Sequence, residues 1–188
     1  MGIRQSFVRV TTQQLDELEK IAANKDDSVS DDRYEKVYEI LNQRSHLQTY
    51  TMVPMDEISA EQVQYKFTIE KSYWSLLEDL MKQLVDDQVI AYWPITEDSS
   101  LPIGDFSMGY SYLHLISYDD LPALLEMVQN FSYEQLKQYF DADFAEFTDM
   151  TDDEKQDVYE AVVDCLASIH LMAQQAYAAN ESIVWYIG

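Results

Sequence analysis

The sequence predicts an α+β fold: a small mixed β-sheet, with the N-terminal and C-terminal strands central, surrounded by several α-helices in one domain over residues 1–188. Three observations predict it. The stretch "GIRQSFVRVT" sets Ile3, Phe7, Val8 and Val10 among polar residues in the manner of a strand, and "SIVWYIG" is dense in β-branched and aromatic residues, as an interior strand requires. Between these two stretches the apolar residues recur at helical spacing in several separate segments. No repeat, low-complexity tract or Gly/Ser linker divides the chain, which holds only 4 glycines.

Each element has its own signal. After the first strand, Thr11 and Gln14 stand at capping-box spacing, and Leu15, Leu18, Ile21 and Ala22 share one helix face. Beyond the charged break "KDDSVSDD", Tyr34, Val37, Tyr38 and Leu41 mark a second helix, and the Pro54 region "TYTMVPMDEIS" reads as a loop. From Ile69 to Gln88 the pattern Tyr73, Trp74, Leu77, Leu80, Met81, Leu84, Val85 predicts a strongly amphipathic core helix. The Pro-, Gly- and aromatic-rich run that follows predicts a long loop resolving into a strand at Ser111 to Ile116. A helix then starts near Ser117, with Asp119 and Asp120 in its first turn and Leu121, Leu124, Leu125 and Val128 buried. Ser132 and Gln135 cap a shorter helix with Leu136, Tyr139 and Phe140 inward. Thr151 and Glu154 cap the last long helix, whose stripe runs Val158, Ala161, Val162, Cys165, Leu166, Ile169, Ala173, Ala176 to a stop at Asn180.

A chain of 188 residues that is 47% apolar and 13% aromatic can bury about 70% of its unfolded surface and needs no staples. Its single cysteine, Cys165, allows no internal disulfide, and no His/Cys cluster suits a structural zinc, so a cytoplasmic location is expected. No stretch reads as a signal peptide or membrane span. Gly2 followed by Ser6 resembles a myristoylation signal, but the stretch reads better as a strand. The net charge is −23, and its distribution is uneven: residues 1–50 hold seven of the 12 cations but nine of the 35 acids. Such a field repels nucleic acid and anionic lipid and speeds encounter with a basic protein. A merely solvated acidic surface is the alternative.

Four stretches carry a resemblance. "MGIRQSFVRVTTQQLDEL" opens on Met-Gly and a strand followed by a helix; "EKSYWSLLEDL", Glu70 to Leu80, carries Lys71 and Trp74; "GYSYLHLISYDDL", Gly109 to Leu121, runs from a strand into a helix start; and "CLASIHLMAQQAYAANESIVWYI" closes with a helix and a strand. In this order they resemble the YfbM-like family, bacterial proteins catalogued only as a domain of unknown function. The resemblance implies an α+β fold with a small mixed sheet and implies no established activity. Two departures stand out: His114 falls where the family usually shows arginine, and Ser111 and Tyr112 replace Gly and Pro in the turn.

Candidate chemistry is sparse. Asp141, Asp143 and Glu146 could meet a calcium ion in a loop, but an EF-hand would need glycine where Glu146 stands and glutamate where Asp152 stands. Cys165 lies on an apolar stripe, where a buried thiol is unreactive, and His170 beside it reads as a core-edge histidine bonded to a carbonyl. His114, near Asp105, Asp119 and Asp120, could act as a general base, although no nucleophile accompanies it. No phosphate loop, HExxH or dinucleotide motif occurs, and neither a cofactor nor a metal is expected. Lys71, Trp74, Trp93, Gly109, Tyr110 and His114 form a candidate ligand cleft for a small enzyme or ligand-binding domain. The preferred expectation is a non-enzymatic acidic binding protein that docks a basic partner protein, such as a toxin it inhibits, through Glu97, Asp98, Asp105, Asp141, Asp143, Glu146, Asp149, Asp152 and Asp153.

Overall fold

In the computed structural model, which describes residues 4–23, 30–47, 64–84, 101–108, 111–130, 132–143 and 150–188, strands and helices follow in the order β1 (Arg4–Val10), α1 (Thr12–Ala23), α2 (Ser30–Asn42), β2 (Lys66–Glu70), α3 (Lys71–Leu84), β3 (Leu101–Met108), β4 (Ser111–Ile116), α4 (Leu121–Gln129), α5 (Tyr133–Asp143), α6 (Asp152–Ala178) and β5 (Ser182–Ile187). The five strands form one sheet in the order β2-β1-β5-β4-β3. The N- and C-terminal strands are therefore interior, with β5 in the middle. The sequence predicted a mixed sheet, and this is corrected: every pairing among the described strands is antiparallel.

The sheet is covered on both faces, which explains why β1 and β5 are buried almost throughout. On one face Phe7, Ile69, Ile116, Ile183 and Trp185 pack against Leu77, Leu80 and Met81 of α3, Leu121 and Leu124 of α4, Leu136 and Phe140 of α5, and Val162, Leu166 and Ile169 of α6. On the other, Val8, Val10, Leu113, Val184 and Tyr186 meet Leu18 and Ala22 of α1 and Val37, Ile40 and Leu41 of α2. Each such side chain contributes about 1.5–3 kcal/mol by leaving water. A cross-strand row of rings runs Phe67, Phe7, Trp185, His114, its outer pairs stacked with centroids 4.8 and 4.0 Å apart.

Helix ends are set by the residues that the spacing picked out. Thr11 Oγ1 accepts from Gln14 N at 3.2 Å while Gln14 Oε1 accepts from Thr11 N at 3.0 Å. At the far end of α6, Asn180 takes φ 55°, in the left-handed region where its short polar side chain is tolerated. Glu181 N then donates to Ala176 O at 2.9 Å and Asn180 N to Tyr177 O at 3.2 Å, closing the helix with the Schellman pattern. The turn delivers Glu181 into a buried clasp. Its Oε2 accepts from Arg9 Nε at 2.8 Å and its Oε1 from Arg44 Nη1 at 2.5 Å. Arg44 Nη2 donates to Arg9 O at 2.9 Å, Arg9 Nη1 donates to Gln175 Oε1 at 3.0 Å, and both guanidinium groups lie over the Tyr65 ring.

Several local expectations are corrected. Residues 66–70 form a strand, so the helix read from Ile69 begins instead at Lys71. β3 replaces part of the loop read between residues 89 and 110; it carries Pro102 and Gly104, which an edge strand tolerates because one side of its backbone makes no ladder. The helix expected near Ser117 starts as a short 3-10 turn, Tyr118–Asp120, before α4. Tyr34, Tyr38 and Tyr139 are exposed rather than inward, with Ile40 taking the core position on α2. The Pro54 region lies outside the described residues. Among the described residues, no helix is long and apolar enough to cross a membrane.

Candidate acidic docking surface

Two capped helices build the acidic face. Ser132 Oγ accepts from Gln135 N at 3.2 Å to start α5, and Leu136 and Phe140 anchor its inner side. Thr151 and Glu154 form a reciprocal capping box at the head of α6: Thr151 Oγ1 accepts from Glu154 N at 3.3 Å, and Glu154 Oε2 accepts from Thr151 N at 2.7 Å. Those bonds, from the Thr151 backbone first and its hydroxyl second, hold the Glu154 carboxyl below its usual range. Asp152, Asp153 and Glu154 fill the first turn, where the positive end of the helix dipole favours them.

Tyr159 joins the two helices. Its ring meets Phe140 edge-on at 5.3 Å and its hydroxyl donates to Tyr133 O at 3.4 Å. Burial first, and the Asp141 charge second, push the Tyr159 phenol up. Asp153, Asp157, Glu160 and Asp164 recur at spacings of four, three and four along one side of α6, and Asp141 of α5 lies near enough to Tyr159 for its charge to act on that phenol. Asp153, Asp157, Glu160 and Asp141 are exposed, and Asp164 is half-buried. Burial raises the Asp164 pKa, and the neighbouring Glu160 charge raises it further. The cations within α5 and α6 are Lys137, which is already ion-paired to Asp141, and Lys155. Lys137 also lies 5.0 Å from the Tyr159 ring centre.

Of the acids expected to form the surface, the structure places Asp141, Asp152 and Asp153 here. Asp143 ends α5 and Asp105 lies in β3, while Glu97, Asp98, Glu146 and Asp149 fall outside the described residues. The sequence reading stopped at Asp153 and missed Asp157, Glu160 and Asp164. Their helical spacing was the available signal. Among the described residues, no group of three or more His, Cys, Asp and Glu is gathered to hold a metal.

Of the residues expected to line a ligand cleft, His114 is the one whose side chain lies among the described residues. His114 is 2% exposed and stacked on Trp185 inside the core, so it lines no open surface. Asp120 accepts from Ser117 Oγ at 2.6 Å. Lys71 and Trp74 lie in the first turn of α3, and Trp93, Gly109 and Tyr110 fall outside the described residues. The Cys165 thiol is pushed up to about 12, by burial first and by Asp164 second. His170 Nε2 is buried without a hydrogen-bond partner among the described residues, so it does not make the carbonyl bond expected of it, and burial lowers its pKa.

No family model and no curated protein matches the chain. A solved structure described as a protein of unknown function, YfbM from Escherichia coli, superposes over 98% of this chain and 99% of its own length, with a TM-score of 0.54 and 10% sequence identity. The chain has the YfbM-like fold. At that identity the likeness speaks for the arrangement of strands and helices alone.

Proposed function

We propose that the chain works by binding: the α5–α6 face docks a basic protein partner, in the concrete case a toxin that it neutralises as an immunity-type inhibitor. The observation that supports this reading is the stripe Asp153, Asp157, Glu160 and Asp164 on α6, to which α5 adds Asp141, opposed in the same two helices only by Lys137 and Lys155. A net charge of −23 far exceeds the roughly 2–8 that keeps a small domain soluble. Clustered carboxylates can imitate phosphates in a basic cleft, and at physiological salt their field reaches about 8 Å, so they act on encounter more than on lifetime.

Single rim acids contribute little, so the test removes several together. The quadruple variant Asp141→Asn, Asp153→Asn, Asp157→Asn, Glu160→Gln keeps side-chain size, and none of the four takes part in a helix cap. Wild type and variant are used as bait in lysate of the source organism, and any basic protein held by the wild type is purified for stopped-flow association. The expected result is that the variant loses capture, and that association slows with a flatter dependence on ionic strength. Equal rates and equal salt slopes would reject the surface as the docking face.

A further inference from the structure

The two rims of the sheet differ. β3 carries Pro102 and Gly104, and its register with β4 shifts between Pro102 and Ser107, devices that blunt an edge against further pairing. β2, the other edge among the described strands, is the five-residue run KFTIE, which holds neither proline nor glycine and pairs with β1 without a register shift. Its middle residue, Thr68, is exposed. The direction of the β2 backbone groups follows from that pairing. Arg9 N donates to Tyr65 O at 2.8 Å, and these two residues continue the β1–β2 register. In an antiparallel ladder, pairs that exchange hydrogen bonds alternate with pairs that do not. Residues 65, 67 and 69 therefore turn their amides and carbonyls toward β1, and Thr68 turns its own outward.

A strand added antiparallel at this rim must bring its own outward-turned residues opposite those of β2. One register of KFTIE against itself centres Thr68 on Thr68 and sets Lys66 opposite Glu70 at both ends. A slide by two residues in either direction breaks both charge matches. Opposite charges at facing positions of an antiparallel pair are stabilising, and like charges there are not. Lys66 keeps its bonds to Asn42 Oδ1 at 2.9 Å and Tyr186 Oη at 3.4 Å in this arrangement, because an opposite charge at the facing register position acts without a spare donor.

We propose that β2 pairs antiparallel with β2 of a second copy of this chain, about a two-fold axis at Thr68, so that the two sheets join into one. A two-fold interface must be self-complementary, and the charge order of KFTIE is. The net charge of −23 opposes self-association, yet residues 64–71 hold two lysines and one glutamate, so the rim itself is not acidic. At about 0.15 M salt the screening length is about 8 Å, which damps repulsion between remote acids more than attraction between charges on adjacent strands about 5 Å apart.

The inference is independent of the acidic face and is tested on the full chain by light scattering over a concentration series at that salt. The wild-type mass is expected to rise from 21.9 kDa toward twice that value. Thr68→Pro withdraws the central outward N–H at a rim position where proline leaves the β1 ladder intact, and should hold the chain at the monomer mass. Glu70→Lys sets like charges opposite each other at both ends and should raise the dimer dissociation constant about tenfold or more. Both variants should keep the wild-type circular dichroism; should Thr68→Pro lose it, Glu70→Lys and the cross-link decide. Thr68→Cys should form a disulfide with its own counterpart under mild oxidation, since facing residues of a hydrogen-bonded antiparallel pair lie about 5.5 Å apart at Cα. Tyr34→Cys, exposed on α2, should not. A wild type that stays monomeric at every concentration would overturn the proposal, and so would a dimer that Glu70→Lys leaves unchanged or a Thr68→Cys chain that fails to cross-link.

Discussion

Replacing Glu181 by glutamine removes the carboxylate that Arg9 and Arg44 share while keeping nearly the same volume. Arg9 and Glu181 are 6% and 7% exposed, so water replaces little of the lost charge at Arg9, while the Arg44 side chain, 20% exposed, is better hydrated. The amide can accept one of the two bonds now made at 2.8 and 2.5 Å, but both guanidinium groups stay charged over the Tyr65 ring with no anion between them. Removing one member of a buried ion pair costs about 3–5 kcal/mol, most of it the penalty of the stranded charge. For a chain of this length that corresponds to a fall in Tm of about 6–20 °C. Urea unfolding followed by circular dichroism measures it, and because the site is shielded the difference should persist in high salt. The double variant Glu181→Gln, Arg44→Met, which removes one stranded cation, should recover part of the loss. A Glu181→Gln change under about 1 kcal/mol, the value of an exposed pair, would refute the claim that the clasp is a buried charge network.

Asn180→Val forces a β-branched residue to φ 55° and should cost about 1–2 kcal/mol in the same unfolding assay. Cys165 should resist iodoacetamide at about pH 8 in the folded chain and react fully in urea, since its thiol is held up near 12, as intact-mass measurement would read. The unfolded chain protonates His170 more readily than the folded one does. Its contribution to stability is therefore complete above the unfolded value of 6.5 and is lost as pH falls from there through the lowered folded value. The difference in urea midpoint between wild type and His170→Phe, followed between about pH 5 and 8, should show that slope.

What could be read from the sequence were the elements with dense local signals. The Thr151–Glu154 box, the stripe from Val162 to Ala176, the stop at Asn180 and the strand Ser182–Ile187 all stand as their residues indicated. β2 escaped because five residues alternating Lys66, Phe67, Thr68, Ile69 and Glu70 offer little apolar pattern beside a strong helix. β3 escaped because Pro102 and Gly104 carry turn propensity, which an edge position overrides. Strand direction was not legible either, being set by which strands meet and not by any local residue. Of the acid stripe on α6 only Asp153 was among the expected acids, although the helical spacing of Asp157, Glu160 and Asp164 carried the signal. The contacts of Lys66 with Asn42 and Tyr186 were not legible, because these residues come together only through the β2–β1–β5 pairing and the packing of α2.

Among the described strands, β5 is the one that touches both antiparallel pairs, β1 with β2 on one side and β3 with β4 on the other. Fraying that begins at the β2 rim can run no further than β1 while β5 holds, and fraying from β3 halts at β4. Ile183, Val184 and Trp185 of β5 are paired on both flanks at once, to β1 and to β4. The molecule thus has two margins free to breathe separately and one spine through which its all-or-none melting is transmitted.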